Sequence, residues 1–434
     1  MGTVVAGFLV LIAIGTILLC LPVARAPDAS FDFVTSLFTA TSAVCVTGLV
    51  VVDTGTHWSH FGQGVILALI QLGGLGIMTA AMSILLIFAR PVSLGDRFAI
   101  RETLGLPGVR SVATLIVATV ILTILLEAGG GTVLWLRLRG SGLPGWDVWQ
   151  SAFHAVSAFN NAGFDIRGTG QSLAEFTRDP VVLMTICVLV IAGGLGALVI
   201  LDLAGSRSLR RLSVQSKLVL LTTLALLVAG LVATLASEYH NPATLGGFNV
   251  TGKITNAFFH SVNARTAGFS TMPMNATHDD TQFLTMALMS IGGATGGTAG
   301  GIKVGTFAVL MLVTLATAKG YTTVRVFGRE IPHGVVYRAL GVATLYLGVI
   351  FVGTLILSIT ETALFRQVFF EVFSAVGTVG LTTGITPELS TAGRSVVVAL
   401  MFVGRVGPLV LVYLLTRKAR EPLYHLPEAR IGIG

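Results

Sequence analysis

The chain has 434 residues, of which 53% are hydrophobic and only 11% charged, and its mean hydropathy is +0.87. A water-soluble domain carries roughly a quarter charged residues, so the composition excludes one and predicts a polytopic membrane protein. The net charge of +7 is not gathered on one segment, which excludes a nucleic-acid partner. Three cysteines, Cys20, Cys45 and Cys187, lie in apolar stretches without a CxxC, which excludes a disulfide framework or a zinc site.

In chain order, eight apolar segments are long enough to cross a bilayer, for which about twenty residues suffice. They run roughly over 3–22, 61–89, 112–136, 181–203, 214–236, 282–318, 335–359 and 393–416. The first lacks the basic leader of a signal peptide and is kept as a helix. Between successive pairs lie four short stretches: FTATSAVCVTGL (Phe38 to Leu49), FHAVSAFNNAGF (Phe153 to Phe164), FFHSVNARTAGF (Phe258 to Phe269) and FEVFSAVGTVGL (Phe370 to Leu381). In each, a Phe stands ten residues before a Gly that is followed by Leu or Phe. The glycines, Gly48, Gly163, Gly268 and Gly380, recur at intervals of 115, 105 and 112 residues. Such a period marks a repeat architecture.

The stretches are too short to cross and are expected to be re-entrant helices ending in a turn. Irregular backbone at membrane depth is tolerated only where protein buries it or water bathes it. The expected fold is therefore all-α, with eight transmembrane helices in four helix–re-entrant helix–helix units around one pore. Their bounds are 1–89, 112–203, 214–318 with a broken second helix, and 335–416, before a cytoplasmic tail at 417–434. Every unit has an even number of full spans, so all share one orientation, unlike the inverted repeats of many carriers.

Charge sets that orientation. The segments 90–111, 204–217, 319–338 and 417–434 hold 16 of the 27 Lys and Arg, and Lys and Arg mark cytoplasmic loops. Both termini are expected in the cytoplasm, with the short stretches entering from outside.

Dehydrating a cation takes oxygen ligands, which backbone carbonyls supply without the trapping charge of a carboxylate. The residues before each Gly suit this role: Cys45, Val46 and Thr47; Asn160, Asn161 and Ala162; Arg265, Thr266 and Ala267; Gly377, Thr378 and Val379. Asp32 and Asp147, each sixteen residues before its Gly, are placed to cap the short helix at its start. Asp53 and Asp165 follow the turns and would make the outer vestibule negative, concentrating cations.

These residues carry a resemblance. SAVCVTGLVVVD, SAFNNAGFDI, VNARTAGFSTM and SAVGTVGLTTG resemble the four filters of the Trk/Ktr/HKT superfamily of potassium transporters, over nearly the whole chain. The length and eight spans resemble the Ktr membrane subunit more than the longer Trk subunit. The resemblance implies one pore per chain, a homodimer in a bacterial plasma membrane, and K+ as the ion. It implies that Gly48 favours potassium, since Ser there marks sodium-preferring plant relatives. It further implies a cytoplasmic KtrA-like ring of subunits binding ATP/ADP or NAD(H), and stimulation by Na+ in some members.

A guanidinium facing a cation site would repel the ion, so Arg265 is expected behind the filter, paired with an acid such as Glu371. Each second helix carries a Gly 24 to 30 residues after the filter Gly: Gly73, Gly193, Gly292 and Gly404. Close helix packing or local bending explains the first two. The third differs: SIGGATGGTAGGIKVGTF places Gly292, Gly293, Gly296, Gly297, Gly300, Gly301 and Gly305 within one apolar segment. A continuous helix is disfavoured, each Gly costing up to about 1 kcal/mol. An unwound loop over Gly292 to Gly305 is expected beneath the filter, and the resemblance makes it the gate. Lys303 ends it, and Arg405 lies inside the last span, where intramembrane charge usually faces the bundle interior or a water-filled cavity. Arg405 is expected to bond loop carbonyls, with Pro408 bending the helix just beyond. His154 and His260 are expected to be buried hydrogen-bonding residues; Glu127 sits in a span with no partner that the sequence names.

Potassium uptake driven by membrane potential is the expected function. The competing transport reading is a monovalent cation (Na/K) channel or carrier without strong potassium selectivity. An intramembrane enzyme would want a set such as HExxH or GxSxG, and neither occurs. A scaffold would not need four polar turns.

Overall fold

The structure is a computed structural model and describes residues 2–88, 112–140, 146–206 and 208–407. The basic segment 90–111, Pro408 and the tail 417–434 lie outside the described residues. Fourteen α-helices are described. The first group is α1 (Gly2–Cys20), α2 (Phe33–Val44), the single turn α3 (Thr54–His57) and α4 (His60–Phe88). Next come α5 (Val112–Leu138), α6 (Val148–Phe159) and α7 (Pro180–Gly205). The third group is α8 (Val214–Glu238), α9 (Val250–Asn263), α10 (Asp279–Met289) and α11 (Val304–Ala318). The last is α12 (His333–Thr360), α13 (Phe365–Gly377) and α14 (Thr391–Val406).

Four helices among the described residues are long and apolar enough to cross a membrane: Ile116–Leu138, Pro180–Gly205, Val214–Glu238 and His333–Thr360. Their outer faces expose Ile121, Leu125, Val188, Leu221, Leu347 and Phe351. An apolar surface that broad marks contact with lipid rather than water. Among the described residues, the strands are those of a small hairpin between α11 and α12, in which β1 (Arg325–Val326) pairs antiparallel with β2 (Arg329–Glu330).

The short helices form the core. α2 starts because Asp32 accepts the N–H groups of Val34 at 3.0 Å and Thr35 at 3.3 Å; α6 starts because Asp147 accepts that of Gln150 at 2.8 Å. These caps satisfy backbone donors that a helix start leaves unpaired. Phe38, Phe153 and Phe370 are fully buried. In the third group the buried ring is Phe259, and Phe258 is only half-buried.

Packing between groups is cyclic. Each short helix sits against the first long helix of its own group, α2, α6 and α13 also against the second, and each against one helix of the group before: α6 touches α4, α9 touches α7, and α13 touches α10. α2, in the first group, touches α14 of the last. The groups therefore close into a ring, with the C-terminal ends of the four short helices at its centre.

Candidate functional site: four glycine turns around one axis

Each short helix runs directly into its turn, and the four turns share one backbone geometry. Two residues before each Gly, the chain enters left-handed φ: 55° at Val46, 59° at Asn161, 67° at Thr266 and 49° at Thr378. The glycines follow at 89°, 68°, 79° and 97°. A non-glycine residue in this region costs of order 1–3 kcal/mol and persists only where its surroundings over-determine it. The same strain recurs at one position in all four turns.

What holds the turns is one another. A Cβ built on Gly48 would lie 2.6 Å or less from the Ala162 carbonyl oxygen; one on Gly163 would strike that of Ala267, one on Gly268 that of Val379, and one on Gly380 that of Thr47. Glycine is thus demanded twice, by φ and by the neighbour's carbonyl. The contacts close a cycle, first to second to third to fourth to first. Four carbonyl oxygens, each from the residue before a Gly, line that cycle, and no acid stands among them. The short helices aim their partly negative C-terminal ends at it.

The second long helix of three groups buttresses its own turn. A Cβ on Gly73, Gly193 or Gly404 would run into the carbonyl of Val44, Phe159 or Val376, the residue four before each turn's Gly. Close packing is therefore the reason for Gly73 and Gly193. Bending occurs nearby, at Gly196, whose φ of 73° and ψ of 157° break α7.

The third group does otherwise. Between α10 and α11, residues 290–303 form a loop whose ends are tied by Gly292 N to Ile302 O at 2.9 Å and Ile302 N to Ser290 O at 3.0 Å. Its middle docks on α7, Ala294 N donating to Gly194 O at 2.8 Å and Thr298 N to Gly193 O at 3.1 Å. The Thr298 hydroxyl donates to Asn161 Oδ1 at 2.8 Å, and a Cβ on Gly300 would meet the Thr378 side chain and, at 3.0 Å, the Gly377 carbonyl. The loop thus touches the second and fourth turns together. Three cations hold it: Arg405 Nη1 donates to Thr298 O, Lys303 Nζ to Ala299 O at 2.6 Å, and Arg265 Nη2 to Gly292 O at 2.8 Å. Arg405 also reaches Gly73 O at 3.2 Å.

The comparisons with known proteins fit this geometry. A family model described as TrkH, cation transport protein, matches residues 2–422. The chain belongs to the TrkH family of cation transport proteins. It is accordingly a transporter and not an enzyme. It is 38% identical to the Ktr system potassium uptake protein B of Bacillus subtilis, over 99% of this chain and 95% of the relative. It is equally 38% identical to the potassium/sodium uptake protein NtpJ of Enterococcus hirae, over 99% of this chain and 96% of that one. The crystal structure of the potassium transporter TrkH from Vibrio parahaemolyticus matches in fold, with a TM-score of 0.75 at 20% identity, over 95% of this chain and 85% of that one.

In this TrkH-family chain the sequence-derived residues fall into three places. Cys45 to Gly48, Asn160 to Gly163, Arg265 to Gly268 and Gly377 to Gly380 meet at the ring. Gly292, Gly293, Gly296, Gly297, Gly300, Gly301, Lys303 and Arg405 meet at the loop. Asp53 and Asp165 lie on the side where the chain leaves the turns. Asp53 accepts the N–H groups of Gly55 and Gly170, both at 2.9 Å, and so staples the loop after the first turn to the loop after the second. Asp165 accepts Arg167 N at 3.0 Å; burial raises its carboxyl to about 6, the Arg167 N–H opposes this, and Asp53 adds to it.

Two expectations need correction. Arg265 does not pair with Glu371, whose oxygens are already taken by the hydroxyls of Thr382 and Thr386; the Gly292 carbonyl receives the guanidinium instead. Gly305 is helical, because α11 begins at Val304. His154 and His260 are hydrogen-bonded core residues, to Gln150 O at 2.7 Å and Thr285 Oγ1 at 2.9 Å.

The sequence reading missed Ser42, Ser157 and Ser374. Each stands six residues before its Gly and ties the turn back to its helix. Ser42 Oγ accepts Gly48 N and Ser374 Oγ accepts Gly380 N, both at 3.1 Å, while Ser157 Oγ donates to Phe164 O at 2.8 Å. The signal was present as a recurring Ser-Ala pair; the third stretch has Val262 there. Thr298 was also missed, its role depending on contacts more than a hundred residues away.

Proposed function

We propose that this chain takes up potassium through a single pore whose filter is the ring of four turns. The carbonyls of Val46 and Thr47, Asn161 and Ala162, Thr266 and Ala267, and Thr378 and Val379 replace the hydration shell of K+. The observation that carries this reading is the closed cycle of glycine-to-carbonyl contacts. It gives one site walled by four chain segments, uncharged and oxygen-lined, which suits an ion that must bind and also leave. The printed names of both relatives, potassium uptake and potassium/sodium uptake, agree in ion class.

In this reading the chain makes eight passes, α2, α6, α9 and α13 re-enter from outside, and both termini are cytoplasmic, with Asp53 and Asp165 in the outer vestibule. The loop 290–303 is the gate: it touches two of the four turns and is held by Arg405 and Lys303, whose positive charge bars the ion until the loop moves. The chain works as a homodimer in a bacterial plasma membrane. A KtrA-like ring carrying ATP/ADP or NAD(H) regulates it from the basic face, and Na+ stimulates it. Inward flux is driven by the membrane potential, about 2.3 kcal/mol per charge per 100 mV.

The test is rubidium uptake into proteoliposomes, with potassium or sodium as competitor, for wild type and Gly48→Ser. Block by potassium alone, with that preference lost in Gly48→Ser, is expected. Equal block by sodium in wild type would replace the reading with a pore of weak selectivity, the possibility that the name of the Enterococcus relative favours. Flux that appears only when the nucleotide-binding ring is added would show a pore closed by default.

A further inference from the structure

One buried carboxyl has no part in the function proposed above. Glu127 stands midway along the apolar segment Ile116–Leu138 of α5. That helix turns Val117, Ile121, Ile124 and Leu125 outward, whereas Glu127 is only 9% exposed. An ionisable group at such depth is expensive and rarely kept for packing alone. Neither hydrogen-bond partner of its carboxyl carries a charge. Its partners are two amides. Oε2 accepts Gln71 Nε2 of α4 at 3.2 Å, and Oε1 accepts Asn160 Nδ2 at 3.1 Å. The triangle closes through Asn160 Nδ2 and Gln71 Oε1 at 2.8 Å.

Asn160 is where this matters. It terminates α6, and its amide also reaches the Val156 carbonyl at 3.0 Å. The next residue, Asn161, takes the left-handed φ of 59° that opens the second turn. On the other side Gly74 leaves no space, since a Cβ there would collide with the Asn160 side chain. The amide is therefore clamped between α4, α5 and its own helix. The matching positions of the other turns are Cys45, Arg265 and Gly377, so no other turn has an amide braced by a carboxylate.

We propose that Glu127 is a positioning residue for ion selectivity: acting through Asn160, it fixes the backbone of the second turn and thereby sets the preference for potassium over sodium. This rests on the four-turn filter proposed above. The brace depends on an acceptor oxygen at Glu127 rather than on its charge: Oε1 holds the Asn160 amide beside the strained turn. Glu127→Gln keeps an oxygen for the Asn160 amide; Glu127→Ala keeps nothing.

The experiment is rubidium uptake into proteoliposomes with the full chain, with the ratio of sodium to potassium half-inhibition as readout. Wild type serves first: a ratio near one would remove the potassium preference proposed above, and with it the selectivity that Glu127 is proposed to set. With a selective wild type, Glu127→Ala is expected to cut the ratio about tenfold, and Glu127→Gln to hold it within about twofold of wild type. An unchanged ratio in Glu127→Ala would overturn the proposal, as would an equal loss in both variants, which would assign the effect to charge. Should Glu127→Ala fail to fold, Gln71→Ala opens the same triangle from α4, and an unchanged ratio there would equally overturn it.

Discussion

At the scale of single residues, the glycines of the four turns and the cations of the loop carry opposite demands. Gly163 needs a φ of 68° and faces the Ala267 carbonyl and the Gly268 Cα, the latter 3.0 Å from where a Cβ would sit. Neither constraint can relax alone, because the neighbour that blocks it belongs to the next turn of the same cycle. Gly163→Ala is expected to abolish selective rubidium uptake, while gel filtration still shows a folded protein if the lesion stays within the ring. Arg405 offers the reverse case. Its guanidinium joins the loop at Thr298 O to α4 at Gly73 O, a charge-assisted link between the two segments. Arg405→Ala removes both the link and the positive charge, and is expected to raise rubidium flux severalfold; unchanged flux would remove Arg405 from the gate.

At the scale of elements, helix ends and breaks do the positioning. α2 depends on Asp32, whose carboxyl is held below its ordinary range by the Thr35 hydroxyl and by the N–H groups of Val34 and Thr35, against the opposing effect of burial. A group depressed in the folded state adds stability above its unfolded pKa of about 4 and loses it as pH falls through the lower folded value. Asp32→Ala should therefore cost about 1 kcal/mol at neutral pH, and the gap in melting temperature should begin to narrow below about pH 4 and close only once pH falls past the lowered folded value. The break in α7 is held differently. At Gly196 the φ of 73° and ψ of 157° lie in a region that only glycine occupies at ease, and a Cβ would come to 2.7 Å from Gly296 O and Gly297 N of the loop. Gly196→Ala is expected to lower stability by about 1–3 kcal/mol, measured as a shift in melting temperature. It should also push the loop off Gly193 and Gly194, read as increased protease sensitivity within 290–303.

At the scale of the whole molecule, four groups of helices pack cyclically at their short helices and expose apolar faces outward. The closed packing order, with α14 of the last group against α2 of the first, is what turns four turns into one site. Orientation belongs to this scale as well. A cysteine placed at Asp28 should react with a membrane-impermeant thiol reagent from outside in cells, and one at Arg338 only after permeabilisation. The opposite pattern would invert the topology read from the basic loops.

The sequence by itself determined the positions of the turns, because glycine spacing and hydropathy are local properties printed once per repeat. It placed the break in the third group for the same reason, since the density of glycines between Gly292 and Gly305 disfavours a continuous helix. It also located the caps at Asp32 and Asp147, which act within a few residues of themselves. Only the tertiary structure decided the partners. Arg265 went to Gly292 O rather than to Glu371, and Glu127 to Gln71 and Asn160, because a side chain's partner depends on which distant helices the packing brings alongside. The cyclic order of the glycine–carbonyl contacts was equally beyond the sequence. Each contact joins segments about a hundred residues or more apart, and closure is a property of all four at once.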